Sequence, residues 1–304
     1  MRGKITFRQG AVQHIYQKTI NGFLIFYSTR DCLVFFTILA TATRRYGVHI
    51  LGICLMVDHV HILVEARCKR DIDLFVHLYT SWFVRMYNDW YGRNGPFFYS
   101  PYGIASKVSD KDIRNAIAYL YNNPVERLMC KRAEQAHWNF LAYAGSRYPF
   151  SQPIRLDKAR APMRRAIEEV KISRRVDMPL NYAQLKRMTK PLLPEEQQQL
   201  TDFIVQSYNC VDYADLLYRH GNYNDLVMAI NTTTGSEYVI KEDFVGRSDR
   251  IFQKMSAFLL ESHRIECMDE LHRLPESERS ALIAPLGIRT GASRRQLEKY
   301  LHLS

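Results

Sequence analysis

The sequence predicts an α+β protein: a small antiparallel sheet with helices in the first half, and an all-helical region after it. Two observations predict this. In the first half, β-rich runs and apolar stretches of helical character follow the order strand, helix, strand, strand, helix, helix. That order fits a sheet with helices on one face. Beyond residue 160 the chain becomes almost wholly helical in character.

Each element has a local reason. Residues 11–20 alternate apolar and polar at near-period two, as a strand does. Thr29 and Asp31 offer helix starts, Cys32 to Tyr46 is apolar and helical in character, and Gly47 can stop it. Val48 to Val57 and Val60 to Glu65 are β-rich runs on either side of a turn at Asp58. Asp71 to Tyr91 reads as a long amphipathic helix, and Gly92 to Gly103 as a loop rich in aromatics, Gly and Pro. Asp110 to Tyr121 reads as a helix ended near Pro124, because the residue before a proline is pushed out of the α region. Residues 152–160 form a basic linker, which divides the chain into domains 1–151 and 152–304. In the second, Leu200–Tyr208, Tyr213–Tyr218, Asp249–Glu261, Glu266–Leu271 and Glu276–Leu286 are candidate helices.

The charge is uneven. Of the formal +11, residues 1–150 supply +9, with 19 Lys and Arg against 10 Asp and Glu. A basic half favours a polyanionic partner, of which nucleic acid is the usual one. Six scattered cysteines contain no C-x-x-C pair, so zinc spacing is missing, and they read as reduced thiols of a cytoplasmic protein. The most apolar stretch, Phe23 to Ala42, is broken by Arg30 and Asp31, which argues against a membrane span.

Chemistry concentrates in two segments. In Met56-Val-Asp-His-Val-His-Ile-Leu-Val-Glu65, His59 and His61 stand two apart on a strand and point to one face, spaced to share a divalent cation. Val60, Ile62 and Val64 fill the other face. An H-x-H pair alone also describes two ordinary histidines on a solvated strand. In the second segment, Tyr119 and Asn123 are four apart and share a helix face. Tyr119 can present a phenol to a phosphate and Asn123 an amide oxygen to a metal. Asn123-Pro124 also reads as a plain helix stop, with Tyr119 and Tyr121 as core and rim aromatics.

Taken in order, His59-Val60-His61, then Tyr87-Asn-Asp-Trp-Tyr-Gly-Arg-Asn-Gly-Pro96, then Tyr119-Leu-Tyr-Asn-Asn-Pro-Val125 resemble the REP-associated tyrosine transposases, among the single-tyrosine HUH transposases of the IS200-like family. The resemblance covers about residues 10 to 150. It implies a ferredoxin-like antiparallel sheet with helices, the HUH nuclease fold. It implies Tyr119 as nucleophile, His59 and His61 as metal ligands with Asn123 completing the site, and Mg²⁺ or Mn²⁺ as the ion. The implied partner is single-stranded or hairpin DNA, and a homodimer is carried as an option. Arg85, Arg93 and Lys107, taken as exposed, are candidate DNA contacts, with Tyr87, Trp90, Tyr91, Phe97, Phe98 and Tyr99 as candidate stacking rings. Two features depart from the family: Phe97-Phe-Tyr-Ser-Pro-Tyr-Gly103 replaces its usual apolar-Trp-Gln and Arg-Phe, and Asp58 stands where Asn is common.

Residues 276–304 resemble a helix-turn-helix. Ser293 can cap its second helix, Leu297 and Leu301 would pack inward, and Arg294, Arg295, Gln296 and Lys299 would face a groove, with Arg294 and Arg295 as DNA contacts. The alternative classes are a non-catalytic DNA-binding regulator derived from a transposase and a replication-initiator-like relaxase. Both histidines, Tyr119 and Asn123 argue against the first, and the absence of a G-x-x-x-x-G-K-[ST] loop against the second.

Overall fold

A computed structural model describes residues 7–232 and 249–303, except 263, 266, 267, 272 and 273. Four antiparallel strands, β1 (Val12–Lys18), β2 (His49–Met56), β3 (His59–Glu65) and β4 (Gly103–Lys107), form one sheet in the order β2-β3-β1-β4. Strand β4 falls beyond the loop expected from the sequence; at five residues it is too short to show a period.

The helices of the first half are α1 (Thr29–Tyr46), α2 (Lys69–Tyr91) and α3 (Asp110–Glu126). Ser28 and Asp31 form a capping box at the start of α1, and Gly47, at φ 60°, closes its end. Helix α3 runs through Pro124 rather than stopping before it: the Arg127 N–H donates to the Asn123 carbonyl at 3.0 Å. A proline in the last turn forfeits one hydrogen bond and leaves the rest of the turn intact. That continuation keeps Asn123 helical and in line with Tyr119.

Helices cover both faces of the sheet, not one. Ile15, Ile53, Val60, Ile62 and Val64 pack with α1 and α2, while Leu51, Cys54, Met56 and Leu63 pack with Ile117, Leu120 and Tyr121 of α3. The apolar runs of β2 and β3 have no polar face to leave in water, so both sides need a cover.

The later helices add to both layers. Met163, Ile167 and Val170 of α4 (Ala161–Arg175), Leu185 of α5 (Tyr182–Thr189), and Leu200 and Ile204 of α6 (Pro194–Ser207) share one core with α1 and α2. α7 (Tyr213–Tyr218) and α8 (Tyr223–Thr232) join the α3 side. At the joint between these helices and the sheet, the Asp212 N–H donates to the Ile50 carbonyl at 2.9 Å.

The buried Asp31 carboxylate ties three helices together. It accepts the hydroxyls of Tyr91 in α2 (2.8 Å) and Tyr182 in α5 (3.0 Å), and the Ser28 N–H (2.9 Å). Burial nevertheless pushes its carboxyl up to about 6.

Helices α9 (Arg250–Glu261), α10 (Met268–Leu271), α11 (Glu276–Ala281), α12 (Ile283–Thr290) and α13 (Arg294–Leu301) close around Met255, Leu259, Leu286, Tyr300 and Leu301, with Leu24 and Val57 reaching in from the first half. The single helix expected over 276–286 is two. Pro285 has no N–H to continue α11, and it sits in the first turn of α12, where none is needed. Residues 266 and 267 of the expected Glu266–Leu271 helix lie outside the described residues. Among the described residues no helix is long and apolar enough to cross a membrane.

Candidate active site

The antiparallel register sets the site. Lys18 lies opposite His59 and Tyr16 opposite His61, so His14, Tyr16, Lys18, His59 and His61 share one sheet face. At the histidines that face is not solvated, although Lys18 at its end is exposed. His59 is 1% exposed and His61 is fully buried, with their ring centroids 4.9 Å apart.

Each histidine is oriented from behind. Asp58 Oδ1 is 2.6 Å from His59 Nδ1, which turns His59 Nε2 inward, where it is buried without a partner. Burial opposes ionisation of Asp58. The hydrogen bond and charge of His59, with Lys299 and Arg127 nearby, outweigh it and bring the carboxyl down to about 2. His61 Nδ1 is 3.0 Å from His14 Nε2, and His61 Nε2 is 3.4 Å from Asn123 Nδ2. Burial holds both His61 and His14 well below the ordinary imidazole range, so each is neutral at pH 7, His14 dropping to about 3. An amide N–H₂ can only donate. His61 Nε2 therefore accepts from it, and His61 Nδ1 carries the proton and donates to His14.

Helix α3 supplies the rest. Asn123 is fully buried with its Oδ1 unpartnered. Tyr119 is 3% exposed, and its ring stands edge-on to His61 at 5.5 Å and to His14 at 5.7 Å. Tyr121 faces elsewhere: its hydroxyl donates to the Leu51 carbonyl at 3.3 Å, against Gly52, where a Cβ would come within 3.2 Å of that oxygen. The structure thus brings His59, His61, Tyr119 and Asn123 together and sets Tyr121 apart.

A divalent cation fits the donor set. His59 Nε2 and Asn123 Oδ1 are buried polar atoms awaiting a partner, and His61 Nε2 would join them on giving up its long 3.4 Å contact with the Asn123 amide. Among the described residues no three of His, Cys, Asp and Glu cluster as a metal centre; the amide oxygen of Asn123 is a further donor beside the two histidines.

Residues 26–123 match the model of the family described as Transposase IS200 like. This segment is similar to the IS200-like transposases. The matched third of the chain runs from just before α1 to Asn123 and contains His59, His61 and Tyr119. Among solved structures, one described as "Structure of the REP associates tyrosine transposase bound to a REP hairpin" is similar at 12% identity and a TM-score of 0.40, covering 48% of this chain and 86% of its own. No curated protein matches the chain.

Around this segment the sequence missed several residues. His14 and Tyr16 were legible only as period-two partners of Lys18 on β1. The Tyr16 ring stacks on His61 at 4.8 Å and meets His59 edge-on at 5.6 Å. Asp249 arrives from the start of α9, its N–H donating to the Arg127 carbonyl at 3.1 Å; burial and then repulsion from Asp58 push its carboxyl up to about 6.

The candidate DNA contacts divide. Arg85 is exposed on α2. Arg93 is half-buried, 4.2 Å over the Phe97 ring and bonded to Asn88. Lys107 is not exposed, at 8%: it lies on the same face of β4 as Val12 of β1, whose apolar neighbours cover its stem. Tyr87, Tyr91, Phe97 and Phe98 are core rather than stacking platforms: α2 turns Tyr87 and Tyr91 onto Tyr182, and the following loop packs Phe97 on Tyr87 and Phe98 on Phe83. Trp90 is half-buried and stacked on Tyr182, leaving Tyr99, 52% exposed, as the open ring.

On α13, Ser293 and Gln296 form the expected capping box, and Leu297 and Leu301 pack inward. Arg294 and Arg295 are exposed, Arg294 held to Glu298 at 2.6 Å. Lys299 does not face a groove: its Nζ lies 3.7 Å from Asp58, in space kept open by Gly22, where a Cβ would come within 2.7 Å of it. Burial of Tyr300 and Leu301 fixes the helix with Lys299 toward the sheet.

A second basic surface went unread. Residues 151–190 carry 11 Lys and Arg against 4 Asp and Glu. Arg164, Arg165, Lys171 and Arg175 are exposed on α4, as are Lys186 on α5 and Lys190 just past its end.

Proposed function

We propose that this chain cuts and rejoins single-stranded or hairpin DNA through a tyrosine-linked intermediate. The observation that carries the reading is the convergence of Tyr119, two inward-oriented histidines and an unpartnered amide oxygen on one buried sheet face.

In the proposed reaction the Tyr119 hydroxyl gives up its proton and its oxygen attacks phosphorus in line. A bond forms to the 5′ phosphate as the bond to the 3′ oxygen breaks, and that oxygen leaves as a hydroxyl once protonated. Ester is exchanged for ester, so a second 3′ hydroxyl can attack the phosphotyrosine and restore a phosphodiester. His59, His61 and Asn123 would hold a Mg²⁺ or Mn²⁺ ion, which when bound polarises a phosphate oxygen. Asp58 and His14 hold the two imidazoles in orientation from behind. Because Tyr119 and both histidines are almost fully buried, a strand reaches the phenol only after the residues over it move. The basic surfaces supply phosphate contacts, and the polarity of the cut follows the family resemblance.

The test is incubation of the full chain with labelled hairpin DNA from its own genomic flanks and Mn²⁺, read as a covalent adduct on a denaturing gel. Tyr119→Phe keeps the ring and removes the hydroxyl, so it should fold normally and form no adduct, while Tyr121→Phe should still form one. The reverse pattern, or full cleavage in chelator, refutes the reading.

A further inference from the structure

Among the polar atoms of this site, His14 Nδ1, His59 Nε2, Asn123 Oδ1 and Tyr16 Oη are buried without a hydrogen-bond partner. The proposed cation accounts for His59 Nε2 and Asn123 Oδ1 but not for Tyr16 Oη. Tyr16 lies directly opposite His61 across β1 and β3, and its ring is already used, stacked on His61 at 4.8 Å with an interplanar angle of 28° and edge-on to His59 at 5.6 Å.

A buried hydroxyl without a partner costs stability, and phenylalanine would keep every one of those ring contacts. The oxygen is therefore the one part of the side chain that the fold leaves idle, and the ring that carries it packs on the two imidazoles. We propose that the Tyr16 hydroxyl is a catalytic hydrogen-bond donor to the phosphate that Tyr119 attacks. The inference rests on the reading of Tyr119 as nucleophile.

The chemistry suits the position. A phenol keeps its proton near neutral pH and donates without any rearrangement. The equatorial oxygens of a phosphodiester gather charge during in-line attack, and a fixed donor in a site closed to water is worth most there. Lys18 places its ammonium 5.0 Å over the Tyr16 ring, adding positive charge on the same face. Donation needs no loss of a proton and no turning of a ring pinned by two imidazoles, whereas nucleophilic attack by Tyr16 would need the first.

The experiment is Tyr16→Phe in the full chain. We expect an unchanged or higher melting temperature without metal or DNA, unchanged Mn²⁺ affinity and hairpin affinity, and adduct formation on Tyr119 slowed by about tenfold or more in a single turnover. Adduct formation at the wild-type rate overturns the proposal. So does a fall in melting temperature together with Mn²⁺ affinity, which would make the hydroxyl a structural or ligating group. An adduct in Tyr119→Phe that disappears on adding Tyr16→Phe overturns it as well, because Tyr16 would then be a nucleophile. If the wild-type chain forms no adduct at all, the parent reading fails and this inference with it, a result distinct from the other three.

Discussion

Asp58 Oδ1 and His59 Nδ1 stand 2.6 Å apart, one residue from each other along the chain, so the turn between β2 and β3 both reverses the strand and aims the imidazole that follows it. A carboxylate behind a ligating histidine fixes its tautomer and raises its basicity. Asp58→Ala should lower Mn²⁺ affinity by about 10- to 100-fold. Asp58→Asn, which still accepts from Nδ1–H, should lose less. Titration of Mn²⁺ binding by electron paramagnetic resonance checks the order, and equal affinity in all three proteins would show that the pair does not serve a metal.

Asp31 predicts a pH dependence of stability. Its folded-state carboxyl titrates near 6, above the unfolded value of 3.8, so the folded chain binds the proton more tightly. Its contribution is fully present below about pH 4 and is lost as pH rises toward 6, with a total of about 3 kcal/mol. Asp249, also near 6, acts in the same direction. Asp31→Ala strands the buried hydroxyls of Tyr91 and Tyr182 and should lower stability at pH 7 by about 3 kcal/mol. Urea unfolding from pH 4 to 7 measures both effects; a variant as stable as wild type at pH 7 would show that the carboxylate ties nothing together.

Removing residues 152–304 should unfold what remains. Met163, Ile167, Val170, Leu200 and Ile204 are part of the same core as α1 and α2, and their removal would open that core to water. The expected outcome is an insoluble or molten fragment, seen as loss of near-ultraviolet circular dichroism. A soluble fragment with a cooperative melt would instead show that the first half folds alone.

The two basic surfaces make separable predictions for DNA affinity. Arg165, Lys171 and Arg175 are exposed on α4, whereas Arg294 and Arg295 are what α13 leaves exposed after Lys299 turns inward. Replacing the three α4 residues by Ala should lower the slope of log affinity against log salt by roughly 0.9 for each phosphate that the protein no longer neutralises. The Arg294 and Arg295 pair should have the smaller effect, since Arg294 is already held to Glu298. Hairpin titrations at several salt concentrations decide between them, and an unchanged slope in the α4 variant removes that helix from the DNA surface.

What the sequence determined by itself is local in origin. Period-two alternation placed β1 and a β-rich run placed β3, a glycine stop at Gly47 ended a helix, and four-residue spacing put Tyr119 and Asn123 on one helix face. These follow from backbone geometry over a few residues; joining His59, His61, Tyr119 and Asn123 into one site took the family resemblance as well. Tertiary structure decided the rest, because it depends on which surfaces meet. Only the register of β1 against β3 sets His14 and Tyr16 beside His61. Only the packing of α3 on the histidine face turns an otherwise solvated strand into a buried site. Lys299 reaches Asp58 from 241 residues away because Tyr300 and Leu301 are buried, a constraint that no window of sequence contains.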